Sequence, residues 1–129
     1  MPTIVAALER ATQRGVKLTF VVEDADESRG RVTFDPILAF GQQIASAARV
    51  YTWPLERRAV DARGRHGTLH AKCVIVDRHR LFLSSANFTE YAMTLNLELG
   101  IVVTSRDVAQ AAERMLQRLL QEGVLVESR

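Results

Sequence analysis

Residues 70–77 read HAKCVIVD, and SSAN follows at 84–87. An imidazole and an ammonium therefore stand two residues apart at the head of a short apolar run. Side chains alternate along a strand, so His70 and Lys72 share one side while Cys73 faces away, as a small apolar residue buried in the core. DRHR at 77–80 is a tight-turn signal, and a return strand LFLS at 81–84 would bring Ser85 and Asn87 back beside His70 and Lys72. An ammonium with amide donors suits a phosphoryl group. An imidazole can attack phosphorus or transfer a proton. Glu98, at the start of a neighbouring strand, can hold that imidazole in one tautomer. Asp77 lies in the turn, on the opposite face from His70, and is read as organising the turn.

The elements that must position these groups follow from hydrophobic period and end signals. A helix is predicted over 3–14, with Ile4, Leu8 and Ala11 on one face, Thr3 as cap and Gly15 as stop. KLTFVVE, 17–23, reads as a buried strand. The polar stretch 24–35 is a loop, and Asp35-Pro36 suits the start of a helix over 36–48 that offers Ile37, Leu38, Phe40 and Ile44 to the core. RVYTW, 49–53, would close a right-handed parallel β-α-β unit. A long loop, PLERRAVDARGRHG, spans 54–67. Strand three is predicted over 68–76, strand four over 81–84 and strand five over 97–104. A short helix is expected in NFTEYAMT, anchored by Phe88, and a last helix over 106–122, capped by Ser105 and stopped by Gly123.

The chain has 129 residues, 47% of them hydrophobic, enough for one domain with a packed core. No apolar run reaches membrane-span length and no signal-peptide pattern opens the chain, so no membrane partner and a cytoplasmic location are expected. The single cysteine excludes an internal disulfide and fits a reducing compartment. A formal charge of +2 does not by itself point to nucleic acid. The basic residues are almost all arginine, however, and Arg57, Arg58, Arg63 and Arg65 gather in the loop that leads into His70. They read either as contacts to a polyanion, Arg63 and Arg65 above all, or as a solvated loop.

His70-x-Lys72-x4-Asp77-x6-Ser84-Ser85-x-Asn87 resembles the HKD motif of the phospholipase D superfamily, H-x-K-x4-D-x6-G-S-x-N. Ser84 stands where that family has glycine, and Glu98 resembles the glutamate that follows the family motif. The lead-in and the closing helix are similar to the small one-motif bacterial nucleases of the superfamily. TWPLE, LHAKC, SSANFTE and NLELGIVV are similar to the phospholipase-D-like protein of DISARM antiphage defence systems. The resemblance implies an α/β fold, a mixed β-sheet flanked by helices on both faces, in a single phospholipase-D-like domain over 1–129 with one HKD motif. It implies that the chain is the later part of a longer family domain, whose usual N-terminal strand is absent or supplied by another chain.

The resemblance also implies a mechanism. His70 attacks phosphorus to form a phosphohistidine, and a second histidine protonates the leaving oxygen. Lys72 and Asn87 hold the phosphoryl oxygens, while Ser85 and Glu98 position the imidazole. His66 and His79, in a loop and a turn, are poor second histidines, so a homodimer is expected. No metal or other cofactor is called for. The expected function is metal-independent cleavage of nucleic acid, in antiphage defence with other defence proteins as partners. The alternatives are a phospholipid hydrolase or phosphatidyl transferase, and a catalytically weak scaffolding subunit.

Overall fold

A computed structural model describes residues 2–23, 37, 40–87, 92 and 94–128. In chain order its elements are α1 (Pro2–Gln13), β1 (Leu18–Glu23), α2 (Gln42–Ala47), β2 (Ala48–Trp53), β3 (Cys73–Val76), β4 (Arg80–Ser84), β5 (Gly100–Thr104), α3 (Arg106–Gln121) and β6 (Val126–Glu127), with a 3-10 turn at Leu55–Arg57. They fall into two compact units, one of Pro2–Leu69 with Gly123–Arg129, the other of His70–Glu122. Each has its own three-stranded sheet.

In the first unit β1 and β2 pair in parallel, Leu18 opposite Ala48 through Glu23 opposite Trp53, as the β-α-β pattern predicts. β6 adds to the other edge of β2 antiparallel, so this sheet is mixed. Ile37, Ala45 and Val50 form the core, with Phe20 and Val22 packed on it. Phe20 and Phe40 meet at 5.4 Å between ring centroids. α1 ends where the sequence places its stop. Gly15 takes φ +82, its N–H bonds Thr12 O at 2.9 Å, and Val16 N–H reaches Ala11 O at 3.0 Å. This is the paired closure that a left-handed residue after a helix makes possible. Thr3 is not the cap, because the helix already includes Pro2, a residue suited to a first helical position. The whole 24–36 stretch, with the Asp35-Pro36 start, and Leu38 lie outside the described residues.

The loop 54–67 is more ordered than its length suggests. Val60 bridges His66, Gly67 N–H bonds Ala59 O at 2.9 Å and Asp61 N–H bonds Arg65 O at 3.0 Å, closing a small hairpin.

The second unit is antiparallel throughout. β3 pairs with β4, Cys73 opposite Leu83, and β4 with β5, Leu83 opposite Ile101. α3 packs on this sheet. It buries Ala109 completely, and Leu81 beneath is 6% exposed. Ser105 Oγ caps the helix by accepting Val108 N–H, as predicted. The β3–β4 turn has positive φ at both Asp77 and Arg78, and His79 N–H bonds Val76 O at 3.0 Å, the pattern of a type I′ hairpin turn. Arg78 is held in that strained conformation by an ion pair to Glu113 of α3 at 2.7 Å, a charge contact rather than an aligned hydrogen bond.

Three expectations are corrected here. Strand three begins at Cys73, not at 68, and strand five at Gly100, not at 97. Lys72 O still accepts Ser84 N–H at 3.0 Å, but Ala86 N–H turns back to Ser84 Oγ and His70 O accepts from Lys72 Nζ, so the ladder beside 68–71 runs out. Cys73 is exposed rather than buried. Desolvation nevertheless raises its thiol above the ordinary range, which disfavours the reactive thiolate. Of the NFTEYAMT helix, Phe88 and most of its neighbours lie outside the described residues, and Ala92 and Thr94 are helical.

Candidate active site

The motif residues collect at one end of the antiparallel unit. His70 and Lys72 precede β3 on extended chain, and Ser84, Ser85 and Asn87 end or follow β4. Lys72 and His70 share a side, as the strand period requires. Lys72 Nζ lies 3.3 Å from His70 Nδ1 and donates to His70 O at 3.0 Å. An ammonium only donates, so Nδ1 can bond it only through its lone pair.

Ser85 sits across from them. Its hydroxyl donates to Glu98 Oε2 at 2.5 Å and accepts Leu99 N–H at 3.1 Å. The second carboxylate oxygen, Oε1, accepts from Asn96 Nδ2 at 3.0 Å. Glu98 is held below the usual carboxylate range, first by the Ser85 hydrogen bond, then by that of Asn96. Partial desolvation opposes this, and the charge of Lys72 adds to it. The expected Glu98–imidazole contact takes a different form. Here the carboxylate bonds Ser85 and Asn96, and the ring is held by Lys72.

Ser84, at the glycine position of the motif, folds its hydroxyl back to accept Ala86 N–H at 3.0 Å. The added side chain thus braces the turn that presents Ser85 and Asn87. Asn87 is exposed. Asp77 occupies the hairpin turn, as its parity implies.

Gly100 lets this end of the sheet close. A Cβ there would lie 2.7 Å from the Phe82 ring and 2.9 Å from Leu83 O. Only a glycine leaves room for the ring to lie over the backbone two residues after Glu98.

The arginines of the 54–67 loop divide by role. Arg58 is 7% exposed, bonded to Glu23 at 2.8 Å and to Trp53 O at 2.9 and 2.6 Å, and set over the Trp53 ring. Glu23 Oε1 also accepts the N–H of Leu69, the residue before His70, at 3.4 Å. Arg57 donates to Gly123 O. Arg65 forms an ion pair with Asp61 at 2.7 Å. Asp61 is held below the usual carboxylate range, first by the Arg65 backbone hydrogen bond, then by its guanidinium. Arg63 contributes its backbone N–H to Asp61 and carries an exposed side chain.

Residues 1–120 match the family model described as the PLD-like domain of cardiolipin synthase. The chain belongs to this phospholipase-D-like family. It is 28% identical over 114 residues to a cardiolipin synthase A of Pseudomonas entomophila, and 27% identical over 113 residues to one of Pseudomonas putida strain W619. The chain spans only 21% of the length of either relative. Among solved structures it is similar to NucT from Helicobacter pylori, with TM-score 0.65 and 20% identity over 93% of this chain and 72% of that one. It is also similar to Nuc from Salmonella typhimurium, a phospholipase D family member, with TM-score 0.61 and 24% identity over 99% of this chain and 74% of that one. The α/β fold is thus phospholipase-D-like, as the motif implies.

Sequence alone passes over Asn96 and the Glu23–Arg58–Trp53 cluster. The first has a local signal in its place two residues before Glu98, although it lies in a bend rather than a strand. The second joins residues 35 apart through one side chain, which no local pattern announces.

Proposed function

We propose that this domain is a phosphodiesterase that cuts nucleic acid through a phosphohistidine on His70. The observation that carries the reading is the gathering of two bonded pairs, His70 with Lys72 and Ser85 with Glu98, at one end of the antiparallel unit, in a chain of the phospholipase-D-like family. Lys72 is drawn from the ring to a phosphoryl oxygen, with Asn87 on another, and the ring nitrogen attacks phosphorus. The bond to the leaving oxygen breaks, and a second imidazolium supplies its proton. Water, deprotonated by that second imidazole, then displaces His70 and leaves a phosphomonoester. The second imidazole is His70 of another copy in a homodimer, the commonest form of oligomer. No metal or other cofactor enters these steps. Arg63 and Arg65 support the choice of a polyanionic substrate, Arg63 more strongly, because Asp61 already offsets the charge of Arg65. The likeness of TWPLE, SSANFTE and NLELGIVV to the DISARM protein supports a role in antiphage defence beside other defence proteins, in the cytoplasm.

A second reading is phosphatidyl transfer or phospholipid hydrolysis, favoured by the cardiolipin synthase relatives. Among the described residues no helix is long and apolar enough to cross a membrane. The deciding experiment incubates the protein in EDTA with labelled DNA, labelled RNA and phosphatidylglycerol vesicles. Cleavage of a nucleic acid, with an acid-labile, alkali-stable phosphoenzyme absent from His70→Ala, is expected. Turnover of the vesicles alone would establish the second reading. No turnover of any of the three, with His70→Ala binding partners normally, would leave a scaffold.

A further inference from the structure

Asn96 lies outside the HKD motif, and the mechanism above makes no use of it. Its amide nonetheless completes a chain of hydrogen bonds into the site. Asn96 Nδ2 donates to Glu98 Oε1 at 3.0 Å, Ser85 Oγ donates to Glu98 Oε2 at 2.5 Å, and Leu99 N–H donates to Ser85 Oγ at 3.1 Å. Asn96 lies in a bend just ahead of Glu98 and reaches it through its side chain, while Leu95, Leu97 and Leu99 are largely exposed. The carboxylate is therefore gripped at both oxygens. A hydroxyl alone would leave it free to rotate about its last torsion, which is soft.

We propose that Asn96 is a positioning residue of the reaction centre, fixing the Glu98 carboxylate through Oε1 and thereby setting where Ser85 and Lys72 stand at the phosphoryl site. This rests on the phosphodiesterase reading. The groups facing Glu98 are Ser85 from the end of β4, Asn96 from its own segment, and Lys72 from the approach to β3, with the His70 ring behind Lys72. Ser85 and Asn96 donate to the ionised carboxylate, so removing the Asn96 donor must raise the pH at which Glu98 takes up a proton. An aspartate in its place adds a like charge and must raise it further.

The test uses Asn96→Ala and the near-isosteric Asn96→Asp. On a cleavable phosphodiester, kcat should fall about tenfold in Asn96→Ala, the scale for a lost partner of a charged group. KM should change little, and the pH at which Glu98 takes up a proton should rise more in Asn96→Asp than in Asn96→Ala. Carbon-13 NMR of glutamate-labelled protein, assigned with Glu98→Gln, follows the Glu98 titration without need of activity. A Glu98 titration unmoved in both folded variants overturns the proposal. If the wild-type protein cleaves nothing, the phosphodiesterase reading fails, and the NMR titration still decides whether Asn96 governs the carboxylate.

Discussion

Lys72 carries three donors and spends one on His70 O, with the Nδ1 lone pair beside another. The contact to Nδ1 at 3.3 Å is long enough to yield to a phosphoryl oxygen, whose full charge makes a stronger hydrogen bond. Lys72→Ala should therefore lower kcat by about 10²–10³, the cost of one preorganised donor to a reacting oxyanion. The fold should survive, because Lys72 contributes its carbonyl, not its side chain, to the bond with Ser84. Steady-state kinetics with circular dichroism on the same sample check both halves. Ser84 shows the same separation of roles, its hydroxyl satisfying Ala86 N–H and leaving Ser85 free to serve Glu98.

At the scale of elements, three local contacts hold structure within one unit or the other. At the sheet end, Gly100→Ala would drive a methyl into the Phe82 ring and into Leu83 O. It should cost about 1–3 kcal/mol in urea unfolding, as overpacking does. Phe82→Leu in that background should restore only part of it, since the Leu83 carbonyl is backbone and cannot move aside. In the first unit, Arg58→Lys should cost about 1–3 kcal/mol, because one ammonium cannot serve both Glu23 and the Trp53 carbonyl as a guanidinium fork does. Chemical denaturation monitored by Trp53 fluorescence reads this directly. The 59–67 hairpin depends on the ionised Asp61. A carboxylate whose pKa is lowered by folding stabilises the fold above its unfolded value of about 3.9 and loses that contribution as pH falls through the folded value. Asp61→Asn should thus speed exchange of the Arg63 and Arg65 amides at pH 7, and the difference from wild type should vanish in acid.

At the scale of the whole molecule, one motif supplies one His70, while the proposed reaction needs two imidazoles in opposite protonation states. Activity should therefore depend on association. Light scattering should show at least a dimer at assay concentration, and specific activity should fall on dilution below the dimer's dissociation range. A monomer with undiminished turnover would refute the shared site. A mixture of wild-type and excess His70→Ala chains should lose activity faster than simple dilution of wild type predicts, because mixed dimers hold a single His70.

The sequence by itself determined the elements whose signals are local. The α1 stop at Gly15, the parallel pairing of β1 with β2, the β3–β4 hairpin and the Ser105 cap all follow from period, turn and capping chemistry within a few residues. It also brought Ser85 and Asn87 to the same end of the hairpin as His70 and Lys72, since strand alternation and a tight turn leave little freedom there. Tertiary structure decided the rest, where one group chooses among several partners. Glu98 turned to Ser85 and Asn96, and the ring to Lys72, because hydrogen-bond geometry at the sheet end selects among donors that sequence merely offers. Strand three lost residues 68–72 because Ala86 N–H went to Ser84 Oγ and the His70 carbonyl took the Lys72 ammonium. Arg58 became a buried brace and Arg65 an ion-paired one, while Arg63 kept an exposed side chain. Four arginines of one loop look alike in a sequence, and only contacts with residues brought close by folding, Glu23 above all, tell them apart.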